Sequence, residues 1–199
     1  MLRKAANIVR QSVAVKEEFI ERGLNDTLQA AQLIADAFLN QKKLLIFGNG
    51  GSAADAQHMA AEFINRFLME RPELPALALT TDSSALTAIG NDYDFADIFV
   101  KQIKGLGQEG DVALGLSTSG SSANVLRGLA TARTCGLKTI AMVGGKPADV
   151  EPLCDIIISV PSPHTPRVQE VHGLAIHIIC EMVDHILFGA LHAAEQMER

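Results

Sequence analysis

The spacing of apolar and polar positions changes along the chain. Residues 2–40 alternate apolar and charged positions at helical spacing, with a break at Gly23–Asp26. This pattern predicts two helices, of which the second is N-capped by Asn25 or Asp26. From residue 43 onward, short apolar runs alternate with amphipathic segments. That alternation predicts strands separated by helices.

The predicted strands are nearly continuous apolar runs, which is typical of parallel strands buried on both faces. They lie at 43–47, 75–80, 111–116, 138–143 and 155–160. Helices are predicted at 53–68, at 84–105 with a break near Gly90–Asn91, at 122–135 and at 167–190. Alternating β and α units with right-handed crossovers predict an α/β protein with a three-layer, doubly wound sheet of about five parallel strands. We expect one domain over residues 1–199, with residues 1–40 as a helical extension.

Composition excludes several classes of function. The net charge is −6 and no lysine or arginine run is present, so we expect no nucleic-acid partner. Cys135, Cys154 and Cys180 are an odd number without CxxC spacing, which indicates reduced thiols in a cytosol. Residues 1–10 lack the apolar core of a signal peptide, and we expect no apolar stretch of membrane-spanning length. The sequence therefore predicts a cytoplasmic protein without a membrane partner.

A glycine-rich loop follows the first predicted strand, at Gly48–Ser52. Glycines let the backbone approach a ligand closely, and the helix that follows offers free N–H groups at its start. The loop has neither the Gly-Lys-Ser/Thr ending of a Walker A loop nor a dinucleotide-binding pattern. It is equally consistent with an ordinary tight turn between strand and helix.

A second loop, Ser117–Ser122, follows the third predicted strand and is more informative. It carries Ser117, Thr118, Ser119, Ser121 and Ser122 around a single glycine. Helix capping needs fewer hydroxyls than this. Several hydroxyls together with helix N-terminal amides favour a phosphate group as the ligand.

His58 and Glu62 lie four residues apart, so both project from one face of a helix. The pair resembles part of a zinc site, or a carboxylate base held by an imidazole, although a surface pair has the same spacing. In the final helix, Gln169 and His177 are separated by about 80° around the axis and can face one cleft, as can Glu170. The remaining histidines, at 164, 172, 185 and 192, are equally consistent with exposed or structural roles.

Four stretches carry a specific resemblance. They are GNGGSAADAQHMAAEF, ALTTDSSALTAIGNDYDF, GLSTSGSSANV and PRVQEVHGLAIH. Together they resemble the sugar isomerase (SIS) family, and closely its phosphoheptose isomerases, over essentially the whole chain. The resemblance implies a flavodoxin-like SIS fold and a ketose–aldose isomerase. The implied reaction converts sedoheptulose 7-phosphate to D-glycero-D-manno-heptose 7-phosphate through an enediol, the first step of ADP-heptose synthesis for the lipopolysaccharide core.

The resemblance also implies roles for individual residues. It assigns Glu62 as the catalytic base and His177 as the acid. It implies one Zn²⁺ per subunit, held by His58, Glu62, Gln169 and His177. The implied contacts to the phosphorylated sugar are Asn49, Gly50, Gly51, Glu62, Asn91, Asp92, Ser117, Thr118, Ser119, Ser122 and Gln169, with the serine loop holding the phosphate. It further implies a homotetramer with active sites at subunit interfaces. Because a zinc-bound carboxylate is a poorer base, either Glu62 alternates between its two roles or the zinc mainly organises the site.

Two alternatives remain open at this point. One is a non-catalytic SIS protein that associates with the DnaA replication initiator, a group that Ile64–Phe67 and Glu70–Pro72 resemble. The other is an isomerase of a different sugar phosphate, such as a pentose or amino sugar. A binding module has no need of a complete metal and acid–base set, so the residues favour the enzyme.

Overall fold

Five parallel strands form a single sheet with helices on both faces in the computed structural model, which describes residues 1–145 and 148–197, and side chains as far as residue 190. The spatial order of the strands is β2-β1-β3-β4-β5. The strands are β1 Leu44–Gly48, β2 Ala76–Ala78, β3 Val112–Ser117, β4 Lys138–Gly144 and β5 Ile156–Val160. The helices are α1 Leu2–Arg22, α2 Leu24–Leu39, α3 Gly51–Ile64, α4 Ser83–Asp92, α5 Ile98–Leu106, α6 Ala123–Thr134 and α7 Thr165–Met197. The predicted doubly wound α/β architecture is confirmed.

Alternate strand residues supply two separate cores, because successive side chains point to opposite faces of a sheet. Ile46 and Leu114 pack in the core that lies under α2, α3 and α7. Phe47 and Ala113 pack in the core under α5 and α6. This double burial explains why the strands are continuous apolar runs. It also places α3 and α7 on the same face of the sheet.

The predicted cap of the second helix is wrong. Asn25 and Asp26 lie within the first turn of α2, and the N-cap is Gly23, which makes no side-chain cap hydrogen bond. A single residue therefore joins α1 to α2, and a Cβ on Gly23 would lie 2.1 Å from the buried Phe19 ring. The close approach of this ring requires glycine at position 23. Because Gly23 is the only residue between the two helices, no residue with a capping side chain precedes α2.

The predicted break in the helical stretch 84–105 is displaced toward its C-terminal side. Helix α4 runs to Asp92, and a short 3₁₀ turn at Phe95–Asp97 precedes α5. The Asp94 carboxylate accepts a hydrogen bond from the Ala96 backbone N–H at 2.8 Å. This local bond caps the new turn, whereas Gly90 and Asn91 continue the helix.

The expectation that no apolar stretch reaches membrane-spanning length is wrong. Residues Thr165–Ala190 of α7 are long and apolar enough by length and composition alone. The apolar residues on one side of this helix, including Val171, Ile176 and Val183, are buried in the core that α7 shares with α2 and α3. The packing of α7 against the rest of the domain thus accounts for the apolar residues on that side of the helix.

Helix α7 also buries a histidine. His172 is fully buried, and neither ring nitrogen has a hydrogen-bond partner in the part of the chain that the structure describes. Desolvation lowers the pKa of His172 to about 4, and the nearby Val143 carbonyl opposes that shift only in part. His172 is therefore neutral in the folded protein at neutral pH.

The buried His172 predicts a pH-dependent stability. Between pH 6.5 and about 4 the unfolded chain binds a proton at this site that the folded chain does not. As the pH is lowered from 6.5 to about 4, the free energy of unfolding should therefore decrease, by about 3 kcal/mol in total because of this residue. Urea denaturation at pH 4.5, 5.5 and 7 should show a shallower fall in the His172→Leu variant. The exposed His164→Gln variant should keep the wild-type slope, and an unchanged slope in His172→Leu would contradict the assignment.

Candidate active site

The turn between β1 and α3 has a conformation that depends on glycine. Gly50 adopts a φ of +56°, which side chains rarely allow. A Cβ on Gly48 would lie 2.9 Å from the Leu116 carbonyl oxygen of the neighbouring strand β3. Helix α3 then begins at Gly51. The first predicted loop is thus a tight turn that brings a helix N-terminus to the carboxyl end of the sheet.

The serine loop joins β3 to α6 at the same end of the sheet, and its hydroxyls are grouped as predicted. The Oγ atoms of Ser117 and Ser122 lie 3.0 Å apart, and those of Ser119 and Ser121 lie 3.1 Å apart. Gly120 supplies the turn with a φ of +72°. These hydroxyls precede the N-terminus of α6, so the loop combines two kinds of donor that suit a phosphate group, and phosphate binding stays a prediction.

An amide pair connects the two loops. Asn49 and Asn124 exchange side-chain hydrogen bonds, each with an Nδ2···Oδ1 distance of 2.8 Å. Asn124 is buried in the first turn of α6 and was not among the predicted site residues. Its position after the serine loop gives no sign of this pairing, because the bond depends on the adjacency of β1 and β3.

His58, Glu62 and His177 form one cluster. Their ligand atoms all lie within 4.8 Å of one another. The His58 Nε2 atom lies 2.9 Å from the Glu62 Oε1 atom and 3.4 Å from the His177 Nε2 atom. Two residues of α3 and one residue of α7 therefore converge, although 119 positions separate the two histidines in sequence.

The donor set of this cluster fits a divalent metal ion. Two imidazole nitrogens and one carboxylate oxygen point at one another, and such N/O sets suit Zn²⁺, though not Zn²⁺ alone. The His58 side chain is 42% exposed and that of Glu62 is 25% exposed. Substrate can therefore reach the cluster. The ring of Phe67 packs against His177 at a centroid distance of 5.4 Å and restricts its orientation.

Gln169 lies over the start of α3. A Cβ built on Gly51 would be 2.3 Å from its Nε2 atom. Gly51 thus leaves the space that the Gln169 amide occupies. The role of Gln169 as a metal ligand stays a prediction.

Three other candidates have hydrogen-bond or ion-pair partners of their own outside the cluster. Asn91 and Asp92 are exposed at the end of α4, where their side chains are hydrogen-bonded to each other at 2.8 Å. No hydrogen bond within the described ranges joins them to the cluster. Glu170 pairs with Arg167, whose guanidinium also donates to the Ile8 carbonyl of α1 at 3.0 Å. Glu170 thus binds an arginine that contacts α1, and the expectation that it can face the cleft stays a prediction.

Comparison with known families identifies the class of protein to which this fold and site belong. The family model described as SIS domain matches residues 8–144. The chain is 48% identical over 196 residues to the phosphoheptose isomerase of Thermodesulfovibrio yellowstonii, covering 98% of each chain. The chain belongs to the SIS domain family, and within it to the phosphoheptose isomerases.

Solved structures give the same result. The phosphoheptose isomerase from Neisseria gonorrhoeae superimposes with a TM-score of 0.87 at 44% identity, covering 92% of this chain and 98% of that one. The phosphoheptose isomerase from Francisella tularensis superimposes with a TM-score of 0.89 at 37% identity and the same coverage. Fold and sequence therefore agree over nearly the whole chain.

The contact between Gly51 and Gln169 gives a testable prediction. Gly51→Ala places a methyl group in the space of the Gln169 amide, which must turn away. We expect thermal stability to be retained, since a flexible side chain can move, while Zn²⁺ affinity falls about tenfold because a ligand is displaced. Competition with a chromogenic chelator measures this affinity. Gly105→Ala, where no atom lies within 4 Å, is the matched control; equal affinities in the two variants would rule out Gln169 as a ligand.

Proposed function

We propose that the chain is a ketose–aldose isomerase that interconverts sedoheptulose 7-phosphate and D-glycero-D-manno-heptose 7-phosphate. The His58–Glu62–His177 cluster is the observation that carries the proposal, because it combines a carboxylate with imidazoles in an accessible position. Membership of the phosphoheptose isomerase family supplies the substrate. The same membership and the complete acid–base set favour this function over a DnaA-associating protein or an isomerase of another sugar phosphate.

The reaction needs a base at carbon and an acid at oxygen. Glu62 removes a proton from C1 of the ketose and, after exchange with solvent at the enediol stage, delivers a proton to C2 on the same face. His177 gives a proton to the C2 carbonyl oxygen and takes one from the C1 hydroxyl, so that an enediol lies between the two sugars. His58 lies 3.4 Å from His177 and 2.9 Å from Glu62, so it links the proposed acid to the proposed base.

A divalent metal ion, which we propose to be Zn²⁺, would be held by His58, Glu62 and His177, with Gln169 as the predicted fourth ligand. Such an ion polarises substrate oxygens and stabilises the charge that develops on them. The serine loop, with Ser117, Thr118, Ser119 and Ser122, holds the phosphate in this proposal. Asn49, Gly50, Gly51, Asn91 and Asp92 contact the sugar.

The acid–base assignment predicts the behaviour of two variants. Glu62→Gln and His177→Ala should each lower turnover of sedoheptulose 7-phosphate by about a thousandfold or more, because each removes one partner of the proton transfer. Circular dichroism and light scattering should show an unchanged fold and assembly. His185→Ala, which changes an exposed histidine of the same helix, should retain wild-type turnover. Wild-type rates in both site variants would contradict the assignment.

We also propose that the protein is a cytoplasmic homotetramer with active sites at its subunit interfaces. Apolar residues form an exposed stripe on α1, at Leu2, Val9, Val13 and Ile20. Helix α7 likewise exposes Leu174 and Ile186. Such surface favours burial by a second copy. All three cysteines are free, which suits a reducing compartment.

The stripe on α1 predicts the assembly. Light scattering on the wild-type protein should give four times the 21.3 kDa chain mass. The double variant Val9→Glu, Val13→Glu places charges in the stripe and should dissociate the assembly. Gln11→Glu, on the other side of α1, should leave the mass unchanged. A monomeric wild-type protein, or an intact tetramer in the double variant, would refute this proposal.

A further inference from the structure

Arg71 and Asp184 form a buried ion pair behind the catalytic cluster. The Arg71 side chain is 1% exposed and that of Asp184 is 3% exposed. The Arg71 Nε atom donates to the Asp184 Oδ1 atom at 2.8 Å. Arg71 lies in the segment that follows α3, and Asp184 lies on α7, so the pair connects the two elements that carry the cluster.

The remaining guanidinium nitrogens bind the end of α3. They donate to the backbone carbonyls of Glu62 at 2.9 Å and Phe63 at 2.8 Å. The last carbonyls of a helix have no partner within the helix, and a cation there also suits the helix dipole. Arg71 therefore holds the backbone of the proposed base itself.

The position of Asp184 on α7 relates the ion pair to His177. It follows His177 by seven residues, or about two helical turns, so both side chains lie on the same side of α7. One planar guanidinium thus joins the Glu62 backbone to the side of α7 that bears His177. The segment between α3 and Arg71 also contains Phe67, whose ring packs against His177.

We propose that Arg71 is a positioning residue, and that its pairing with Asp184 sets the separation of α3 and α7 at which His58, Glu62 and His177 converge on one metal ion. This inference rests on the proposed function. Stability alone does not account for the pair, because apolar residues of similar volume often replace a buried ion pair at no loss. Lysine cannot replace arginine here, because one ammonium cannot serve both the carboxylate and the helix end with fixed geometry.

The test compares two conservative variants with a control at the opposite end of the sheet. Arg71→Lys keeps the charge, and Asp184→Asn keeps an acceptor for the guanidinium. The control is Asp111→Asn, since Asp111 is also buried and pairs with Lys43 at 2.6 Å, but at the amino ends of β1 and β3. All three variants should lower the melting temperature. Only the first two should lower Zn²⁺ affinity in chelator competition, by about tenfold or more.

Kinetics supply an independent readout. Arg71→Lys and Asp184→Asn should lower kcat about tenfold or more while KM for sedoheptulose 7-phosphate changes little, because the serine loop is untouched. The double variant Arg71→Met, Asp184→Leu should recover thermal stability but neither metal affinity nor kcat. Recovery of metal affinity with stability would overturn the proposal, as would wild-type affinity in both single variants.

Failure of the positioning role and failure of the proposed function give different results. If the wild-type protein binds Zn²⁺ but does not isomerise sedoheptulose 7-phosphate, the proposed function fails, and chelator competition still decides the role of Arg71. If the wild-type protein isomerises the sugar and the single variants match Asp111→Asn in both readouts, the positioning role fails alone.

Discussion

The packing of α3 against α7 on one face of the sheet is the interaction on which the site depends. Each helix alone carries an incomplete set of donors, and only their contact brings His58 and Glu62 to His177. The contact is apolar beneath the cluster, where Met59 and Phe63 of α3 share a core with Ile179 of α7. That apolar core stabilises the packing of the two helices, whereas we propose that the Arg71–Asp184 pair fixes their separation. In the proposed mechanism, the geometry of the cluster therefore depends on residues that do not contact the sugar.

The sheet imposes a second constraint. Because all strands are parallel, their carboxyl ends lie along one edge, and the glycine turn after β1 and the serine loop after β3 are neighbours there. The reciprocal Asn49–Asn124 bond locks the two loops together. The two loops that we propose to hold the phosphate and the sugar thus share one support, while the cluster extends along α3 from the same end.

Much of this arrangement can be predicted from sequence, for identifiable reasons. Continuous apolar runs such as Leu44–Phe47 report burial on both faces, so the strands and the doubly wound sheet are predictable. The spacing of His58 and Glu62 places them on one helical face, but their partner His177 came from a family resemblance, because no local pattern encodes a contact across 119 residues. For the same reason, the sequence does not predict the contacts of Asn124, Arg71 and Asp184. Their roles depend on which strands and helices are neighbours.

In the proposed mechanism, the His58–Glu62–His177 cluster moves a proton between adjacent carbons of a phosphorylated ketose. The most direct measurement incubates the purified wild-type protein with sedoheptulose 7-phosphate in D₂O and follows the sugar by NMR. We expect formation of the aldose with deuterium at C2, since the base exchanges its proton with solvent at the enediol stage, and loss of this signal in Glu62→Gln. Absence of aldose from the wild-type reaction, or undiminished product from the variant, would contradict the proposed role of the cluster.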